Sequence, residues 1–396
     1  MEKYKDRTWA EINLNNLMHN VQTIKSKVDE KTKTMWVVKA DAYGHGAAKI
    51  SQAIEKSGAD YFAVATIDEA IYLRKNHIKT PILVLSSVAT DRVAQIAENN
   101  ITVGVFSVSE ALRLSNEAKN IGSVLKIHIA LDTGMGRVGL RAYCQEYIQE
   151  TVEQIKEIIS FPYLFVEGIF THFAVADEEN PDYTMQQYKL FRSVVDTVRK
   201  QDLPQGVLLL AHCANSAAII RFPQMHMDMV RAGIILYGLS PSEYMKEYNF
   251  DIKPVMTVKS RITHVKKIES PLSLSYGCTF EAKSGSCIAT VPIGYADGYR
   301  RTLSNKGNML INGMIVPIRG RVCMDQLMVD VSELFETGNE VCVGDEIEIF
   351  GDGQVTADSV AALCGTINYD ITSGISSRVP RIYIEANKPN EYHGLI

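Results

Sequence analysis

The sequence lacks an apolar run of the roughly 18 residues that a membrane-spanning helix requires. Its first residues, MEKYKDRTWAEI, lack the apolar core of a signal peptide. It has no excess of basic residues either: 41 Lys and Arg stand against 46 Asp and Glu, a net charge of −5, whereas nucleic-acid binding needs a basic face. The seven cysteines are scattered and form no CxxC pair, which is typical of reduced thiols. We therefore expect a cytoplasmic protein with no nucleic-acid, membrane or metal partner.

The remaining composition is that of an ordinary globular protein, with 46% apolar and 22% charged residues. A chain of 396 residues exceeds an average domain of about 150, so two domains, or one large barrel with an appendage, are expected. No linker rich in Pro, Gly or Ser divides the chain. The two parts should therefore pack tightly against each other.

Eight apolar or β-branched runs alternate with helix-like stretches over the first 240 residues. Such runs favour strands buried on both faces of a parallel sheet, whose neighbouring strands need helical crossovers. Eight β-α units predict a (β/α)8 barrel, and a doubly wound open sheet is the alternative. The runs are 34–40, 60–66, 81–87, 101–107, 126–132, 165–173, 207–213 and 229–238.

The pattern of apolar, polar and turn residues differs on either side of this region. A strand-like TWAEINL precedes the barrel, followed by a helix for which Asn13 is a plausible cap. After about residue 240 the segments are short, β-rich and separated by Gly, Asn and Pro turns, with one helix-like patch, TADSVAALCG. We predict a barrel domain over residues 1–240 and a mainly antiparallel β domain over residues 241–396. The apolar positions of the first helix are Leu14, Leu17, Val21, Ile24 and Val28.

In a (β/α)8 barrel, functional residues collect at the carboxyl ends of the strands. Lys39 ends the first run, where partial desolvation would lower the pKa of its amine and favour Schiff-base chemistry. A lysine that merely reaches to the surface is the simpler interpretation of this residue alone. His172 ends the sixth run, where a histidine is more often a satisfied core residue. Arg231 lies in the eighth run.

The seventh and eighth runs carry a candidate phosphate site. Asn215 and Ser216 close the seventh run before a helix-like stretch, and a hydroxyl at a helix start can hold a phosphate. Gly233 follows Arg231, and barrel phosphate sites commonly form after strands seven and eight. Tyr43 lies in the glycine-containing first loop. An aldehyde-reactive lysine, a phosphate cradle and an arginine at one rim together indicate pyridoxal phosphate.

Three further motifs have competing interpretations. DTGMGRVG (132–139) loosely matches a dinucleotide-binding pattern, but the rest of such a unit is missing, so we interpret it as a tight loop that places Arg137 over the barrel mouth. Cys323 in GRVCMDQ has no histidine nearby, which favours a structural thiol over a nucleophile. Tyr276 in LSLSYGCTFEA would, taken alone, be an ordinary half-buried strand tyrosine.

Taken together, the motifs resemble those of bacterial alanine racemases, which are fold type III pyridoxal-phosphate enzymes. The resemblance runs from TWAEINL to SRVPRIY in the family's order, through VVKADAYGHG, DTGMGRVG, HCANSAA, VRAGIILYG, SYGCTF, IGYADGYRR, GRVCMDQ and INYDITSGISSRVPR. It implies a barrel followed by a β domain that the N-terminal strand, about residues 7–13, joins. It also implies pyridoxal 5'-phosphate as cofactor, a head-to-tail homodimer with shared active sites, and conversion of L-alanine to D-alanine for peptidoglycan.

The resemblance assigns roles residue by residue. Lys39 would hold the cofactor and act as one acid/base, and Tyr276 of the other subunit would act on the opposite face, with His172 hydrogen-bonded to it. Arg231 would face the pyridine nitrogen and, because a guanidinium keeps its proton, leave that nitrogen unprotonated and suppress transamination. The implied cofactor positions are Lys39, Tyr43, Arg137, His172, Asn215, Ser216, Arg231, Gly233, Ile234 and Tyr369, and the implied substrate positions are Arg137, Met324, Asp325 and Tyr295, with Tyr295 and Tyr369 narrowing the entrance.

One position departs from the family pattern. Many members have a lysine, often carbamylated, seven residues before the arginine of the glycine-rich loop, and here that position is Ala130. No carbamate can form on an alanine, so we hypothesise that a chloride or a water lies beside Arg137.

Three other functions compete with alanine racemisation. A serine racemase linked to vancomycin-type resistance would tend to lack the tyrosine that matches Tyr369. An ornithine or diaminopimelate decarboxylase would need a Cys-Glu-x-x-Asp signature in the second domain, which is missing. A pyridoxal-phosphate homeostasis protein would be a barrel alone, without Tyr276.

Overall fold

The computed structural model describes residues 5, 7–201, 207, 209–385 and 391–393, and the structural statements below concern these residues. The strands are β1 (Thr8–Asn13), β2 (Lys33–Val37), β3 (Tyr61–Val64), β4 (Ile82–Val84), β5 (Thr102–Val105), β6 (Leu125–Asp132), β7 (Leu140–Arg141), β8 (Leu164–Phe170), β9 (Leu210–His212), β10 (Met229–Ala232), β11 (Met256–Arg261), β12 (His264–Lys267), β13 (Leu272–Leu274), β14 (Phe280–Ala282), β15 (Cys287–Val291), β16 (Asn308–Ile311), β17 (Met314–Arg319), β18 (Leu327–Asp330), β19 (Glu346–Phe350), β20 (Arg381–Ile384) and β21 (Glu391–His393).

Helices fill most of the connections between these strands. They are α1 (Leu14–Ser26), α2 (Lys39–Tyr43), α3 (Ala47–Lys56), α4 (Ile67–Lys75), α5 (Val93–Glu98), α6 (Val108–Asn120), α7 (Ile148–Ser160), α8 (Asp182–Arg199), α9 (Ser216–Arg221), α10 (Ser332–Glu336), α11 (Ala357–Cys364) and α12 (Asn368–Ser373). None of the helices in the described residues is long and apolar enough to cross a membrane.

Eight parallel strands form a nearly closed barrel in the order β10-β2-β3-β4-β5-β6-β8-β9, with the short β7 beside β6. Because β10 pairs with β2, the sheet curls back on itself, so the barrel prediction is confirmed and the doubly wound open sheet is wrong. The gap between β9 and β10 is bridged where the Arg231 amide donates to the Ala214 carbonyl at 2.9 Å. Each predicted run overlaps one of these strands, although residue 208 of the seventh run lies outside the described residues.

Local sequence signals explain the helices that flank the barrel. The Asn13 side chain accepts hydrogen bonds from the amides of Asn15 and Asn16, which confirms it as the cap of α1. The helix ends at Ser26, so Val28 lies beyond it. In α8 one apolar face, at helical spacing, is buried: Tyr188, Phe191, Val194, Val195 and Val198.

The second part of the chain forms a ten-stranded sheet in the order β12-β15-β18-β17-β16-β19-β11-β1-β20-β21. Its pairings are antiparallel except that between β1 and β20, which confirms a mainly antiparallel β domain. The N-terminal strand β1 lies between β11 and β20. One continuous apolar core runs through both parts, whereas the domain boundary at residues 240 and 241 stays a prediction.

Candidate active site

The first functional element is a left-handed turn directly after β2. Lys39 is the first residue of α2, two positions after the strand ends at Val37, rather than its last strand residue as expected. Ala40, Asp41 and Ala42 all have positive φ, between 51° and 55°. Residues other than glycine disfavour this left-handed region of φ and ψ, because their Cβ comes too close to the following carbonyl oxygen. Such strain persists only where surrounding contacts hold it.

Glu69 supplies one of these contacts. One oxygen of its carboxylate accepts from the Ala40 amide at 2.7 Å, and the other accepts from the amides of Ala65 and Thr66 at 2.8 and 3.1 Å. The start of α4 is thereby tied to the residue next to Lys39.

The Lys39 amine lies in a positive and partly desolvated environment. Burial lowers its pKa below the ordinary value, the positive charge of Arg137 lowers it further, Glu69 acts in the opposite direction, and Arg231 again lowers it. A larger neutral fraction makes the amine a better nucleophile towards an aldehyde.

Buried Arg231 and half-buried His172 form a pair at the same mouth. The Arg231 Nη2 donates to His172 Nδ1 at 3.1 Å and to the Thr171 carbonyl at 2.7 Å, just beyond the end of β8. Burial and then the positive charges of Arg231, Arg137 and Lys39 lower the pKa of His172 to about 3. His172 is therefore neutral, and because its Nδ1 accepts from Arg231, its proton is on Nε2.

A small opening between Tyr43, Ser216 and Gly233 lies beside this pair. The Gly233 amide donates to Ser216 Oγ at 2.9 Å. A Cβ on Gly233 would lie 3.1 Å from the Tyr43 hydroxyl and 3.4 Å from Ser216 Oγ, so the missing side chain leaves room between two hydroxyl groups. The opening suits a small group with several acceptor oxygens.

Asn215, Ile234 and Tyr369 border this opening in different ways. The Asn215 side chain accepts from the Ala218 amide at 3.1 Å and caps α9, so it positions Ser216 at the helix start. Ile234 begins a 3-10 turn that extends to Tyr237. Tyr369 comes from α12, in the second part of the chain, and its ring centroid lies 5.9 Å from that of Tyr43.

Arg137 lies in the glycine-rich loop after β6. The Asp132 carboxylate accepts from the amides of Gly134 and Gly136, both at 3.0 Å, which fixes the loop as a tight turn. The Arg137 side chain is exposed, and within the described residues no carboxylate contacts it. Ala130 is buried in β6. The hypothesis of a chloride or water beside Arg137 therefore stays open.

A second group of predicted residues lies on the β domain. Tyr276 occupies a 3-10 turn between β13 and β14 rather than a strand, and 71% of its surface is exposed. The preceding Ser275 has φ of 64°, and its hydroxyl donates to the Arg321 carbonyl at 2.6 Å. This anchored turn makes the phenol protrude from the sheet.

Tyr295, Met324 and Asp325 lie on two loops that are bonded to each other. The Tyr295 amide donates to the Cys323 carbonyl at 3.1 Å, and the Ala296 amide to the Met324 carbonyl at 3.0 Å. Asp325 pairs with Arg378 at 2.6 Å. Within the described residues no hydrogen bond, ion pair or ring contact joins this group to Lys39, Arg231 or His172.

Comparison with known proteins decides the family. The model of the "Alanine racemase, N-terminal domain" matches residues 12–241, and that of the "Alanine racemase, C-terminal domain" matches residues 255–383. The chain belongs to the alanine racemase family. An alanine racemase of Desulforamulus reducens is 43% identical over 380 residues, which span 96% of this chain and all of the relative. Alanine racemase 1 of Clostridium acetobutylicum is 43% identical over 382 residues, or 95% of each chain.

Solved alanine racemases have the same fold. The enzyme of Clostridium difficile 630 superposes with a TM-score of 0.91 at 40% identity and 98% coverage of both chains. That of Bacillus anthracis, with bound L-Ala-P, gives 0.89 at 35% identity and 98% coverage of both chains. The predicted family and the prediction of an enzyme are confirmed.

Sequence reasoning missed two residues that contact this candidate site. Glu69 and His212 contact Ala40 and Arg231, respectively, but neither was predicted to act there. His212 carried a signal, since it stands in HCANSAA three residues before the first predicted phosphate residue, Asn215. Glu69 carried none, because it is one of two acidic residues in an ordinary helix start.

Proposed function

We propose that this chain interconverts L- and D-alanine with pyridoxal phosphate, using Lys39 and Tyr276 of a second copy as acid/base groups on opposite faces of Cα. The D-alanine would supply peptidoglycan synthesis. The observation that carries the proposal is the convergence of Lys39, the Arg231–His172 pair and the opening at Gly233 on one barrel mouth. The named relatives are alanine racemases, which favours alanine over serine.

The residues around the opening fit a phosphate group. The Tyr43 and Ser216 hydroxyls and the amide of Ile234 can donate, and Gly233 leaves the space that a phosphate oxygen needs. Tyr369 would close the opening from the β domain. Asn215 would act indirectly, by capping the helix that presents Ser216.

Pyridoxal phosphate, when bound, supplies an electron sink that acidifies the substrate Cα–H. Arg231 would face its pyridine nitrogen and keep that nitrogen unprotonated, since a guanidinium yields its proton with difficulty. The lowered pKa of Lys39 suits attack on the aldehyde and later proton transfer.

Inversion at Cα needs one group to remove a proton from one face and another to return one on the opposite face. Lys39 would serve one face. Tyr276 is too exposed to serve a site within its own chain alone, so a second copy should bring it over the mouth. There the Nε2–H of His172 would donate to the phenol oxygen and favour the phenolate.

The substrate carboxylate would be held by Arg137 and the Met324 amide. Asp325 would act through its ion pair with Arg378, which holds the Met324 loop. Tyr295 and Tyr369 would narrow the entrance, which limits the substrate to a small side chain.

The proposal is tested by incubating the purified protein with L-alanine or L-serine and measuring chirality together with deuterium uptake at Cα. Lys39→Ala and Tyr276→Phe should each abolish racemisation, whereas Tyr143→Phe, which alters an exposed tyrosine on the barrel, should keep it. Full racemisation by either site variant contradicts the two-base assignment, and equal rates on serine and alanine contradict the substrate.

A further inference from the structure

A column of polar side chains crosses the barrel interior beneath the mouth. We call Glu167, His128, His212 and Arg231 the histidine column. Arg231 Nη1 lies 3.0 Å from His212 Nδ1, His212 Nε2 lies 2.8 Å from His128 Nδ1, and His128 Nε2 lies 3.5 Å from Glu167 Oε2. Both imidazoles are fully buried, and Glu167 is nearly so.

These contacts run through the interior rather than along one sheet face. His212 is on β9 and His128 on β6, with β8 between them. Glu167 on β8 accepts a hydrogen bond from Thr102 on β5 at 3.3 Å, although β5 and β8 are not neighbours. The column therefore connects the mouth with a carboxylate deep in the barrel.

Two local features of β8 make room for the column. The register between β6 and β8 shifts so that Ile127 faces Val166 and His128 faces Gly168, which leaves Glu167 as the extra residue of a bulge. A bulge re-aims a side chain. A Cβ on Gly168 would lie 2.6 Å from two atoms of the His128 ring, so only glycine fits beside that ring.

Arg231 determines which ring nitrogen of each histidine in the column carries the proton. A guanidinium only donates, so His212 Nδ1 accepts and the proton of neutral His212 is on Nε2. That proton faces His128 Nδ1, which must accept, so the His128 proton is on Nε2 and faces Glu167. Within the described residues Nε2 of His128 has no partner in full hydrogen-bond geometry, and the Glu167 carboxylate at 3.5 Å is the acceptor that it faces.

The charges agree with this order. Burial lowers the pKa of both His128 and His212, so both rings are neutral. Burial alone would raise the pKa of Glu167, but the contact with the N–H of neutral His128 and the positive charge of Lys126 hold it below its ordinary value, so the carboxylate is ionised. Aligned donors that end on an anion polarise one another.

We propose that Glu167 and His128 are positioning residues for Arg231. The carboxylate orients His128, His128 orients His212, and the aligned rings hold the Arg231 guanidinium and its proton in place from below. The Phe170 ring, stacked on His212 with centroids 5.2 Å apart, keeps that imidazole in its plane. Apolar side chains could fill the same volume without the free-energy cost of burying a charge. We therefore infer that the column has a role beyond packing.

The proton order is tested first, in the holoprotein labelled with 15N-histidine. Nitrogen shifts should show a protonated Nε2 and an unprotonated Nδ1 for both His128 and His212. A proton on Nδ1 of either ring, or a doubly protonated ring, overturns the proposal.

Glu167→Gln then removes the charge while keeping the shape. The Nε2–H proton of His128 should move upfield, and that of His212 by less, because a neutral acceptor pulls less strongly. If the proposed function holds, kcat for alanine should fall about fivefold, the worth of one hydrogen bond, with KM within about twofold. Transamination per turnover should rise, because a less stabilised Arg231 gives up its proton more readily. An unchanged His212 signal together with unchanged kcat overturns the proposal.

Two variants of His128 separate positioning from packing. His128→Asn keeps an acceptor for His212 and should retain the Nε2–H form of His212, whereas His128→Leu removes that acceptor and should give the lower kcat. Equal effects of both overturn the proposal. His226→Asn, which removes a buried histidine outside the column, should leave the His212 signal and kcat unchanged.

The kinetic part of this inference rests on the proposed function, and the nitrogen shifts do not. If the wild-type protein fails to racemise alanine, the proposed function is wrong. The nitrogen shifts of His128 and His212 still test the proposal about the histidine column.

Discussion

At the scale of single residues, the barrel holds several imidazoles neutral by burying them. Burial is the first cause for His45 and His172, whose pKa values fall to about 3, and for His212, whose pKa falls well below its ordinary value. Nearby cations act in the same direction: Arg381 at His45, and Arg231 at the other two. Each of these rings is therefore fixed as a neutral donor and acceptor, which a charged imidazolium with two donors would not be.

The first prediction concerns pH and stability. Above pH about 6.5, His45 is neutral in both states; below it, the unfolded chain binds a proton that the folded chain refuses until about pH 3. Stability should therefore fall as the pH is lowered through this window. His45→Phe should reduce the slope by about one proton, or about 1.4 kcal/mol per pH unit, in urea unfolding between pH 4.5 and 6.

The control is His264→Gln, a change of an exposed histidine on β12 that should leave the slope as it is. An equal slope in wild type and His45→Phe would show that His45 is protonated in the folded state.

The second prediction concerns Ser216. Ser216→Ala should weaken binding of pyridoxal phosphate about tenfold or more, because a hydrogen bond to a charged group is lost. Binding of pyridoxal, which has no phosphate, should be nearly unchanged, and spectrophotometric titration compares the two. Ser115→Ala, which alters a buried serine in α6, is the control. Equal losses for both ligands would remove Ser216 from the phosphate position.

At the scale of elements, α2 contains a left-handed helical turn. Its residues Ala40, Asp41 and Ala42 have φ and ψ near +50°, although none of them is glycine. The Gly44 amide donates to the Ala40 carbonyl at 2.9 Å, and the Glu69 carboxylate accepts from the Ala40 amide. The strain directs Lys39 and Tyr43 from one short turn, one towards the aldehyde position and one towards the phosphate position that we propose.

The third prediction follows from this strain. Ala40→Gly should raise the free energy of unfolding by about 1 kcal/mol, because the exposed methyl group contributes no packing and glycine tolerates positive φ. Racemisation should slow, because the turn that holds Lys39 becomes more mobile. Ala53→Gly, in the right-handed α3, should instead cost about 1 kcal/mol. Equal destabilisation of the two variants in urea unfolding would contradict the strain argument.

At the scale of the whole molecule, the proposed machinery is divided between two surfaces of one chain. The barrel mouth has Lys39, and the β domain exposes Tyr276 together with Met324, which is 52% exposed. Two head-to-tail copies would complete two sites at once, since each would lend its phenol to the other.

The fourth prediction is complementation. Lys39→Ala and Tyr276→Phe, inactive alone, should recover about a quarter of wild-type activity when co-expressed equally, because half of the dimers are hybrids with one intact site of two. Lys39→Ala with Arg231→Ala should recover nothing, because every hybrid site would have a defective barrel. Activity that fails to rise in the first mixture would place Tyr276 in a site of its own chain.

Sequence reasoning reached the architecture because eight apolar runs and their spacing determine it. It reached Lys39 and Arg231 because polar residues at strand ends stand out against apolar runs. The left-handed turn could not be predicted, because Ala40 and Ala42 adopt a backbone conformation that alanine disfavours. The contact that holds the turn comes from Glu69 in α4. Nor could it reach Glu167, because a single-residue bulge decides which way that side chain points.

The position of β1 has a consequence for the order of folding. β1 is synthesised before the entire barrel, yet it pairs with β11 and β20, which come after the barrel. At a synthesis rate of about 5–20 residues per second, β1 waits roughly 20 to 75 seconds for β20. During that time its ladder groups are open to wrong partners. The barrel can close first on the ribosome, but the β domain can mature only after release of nearly the full chain, so chaperone protection should matter most for this strand.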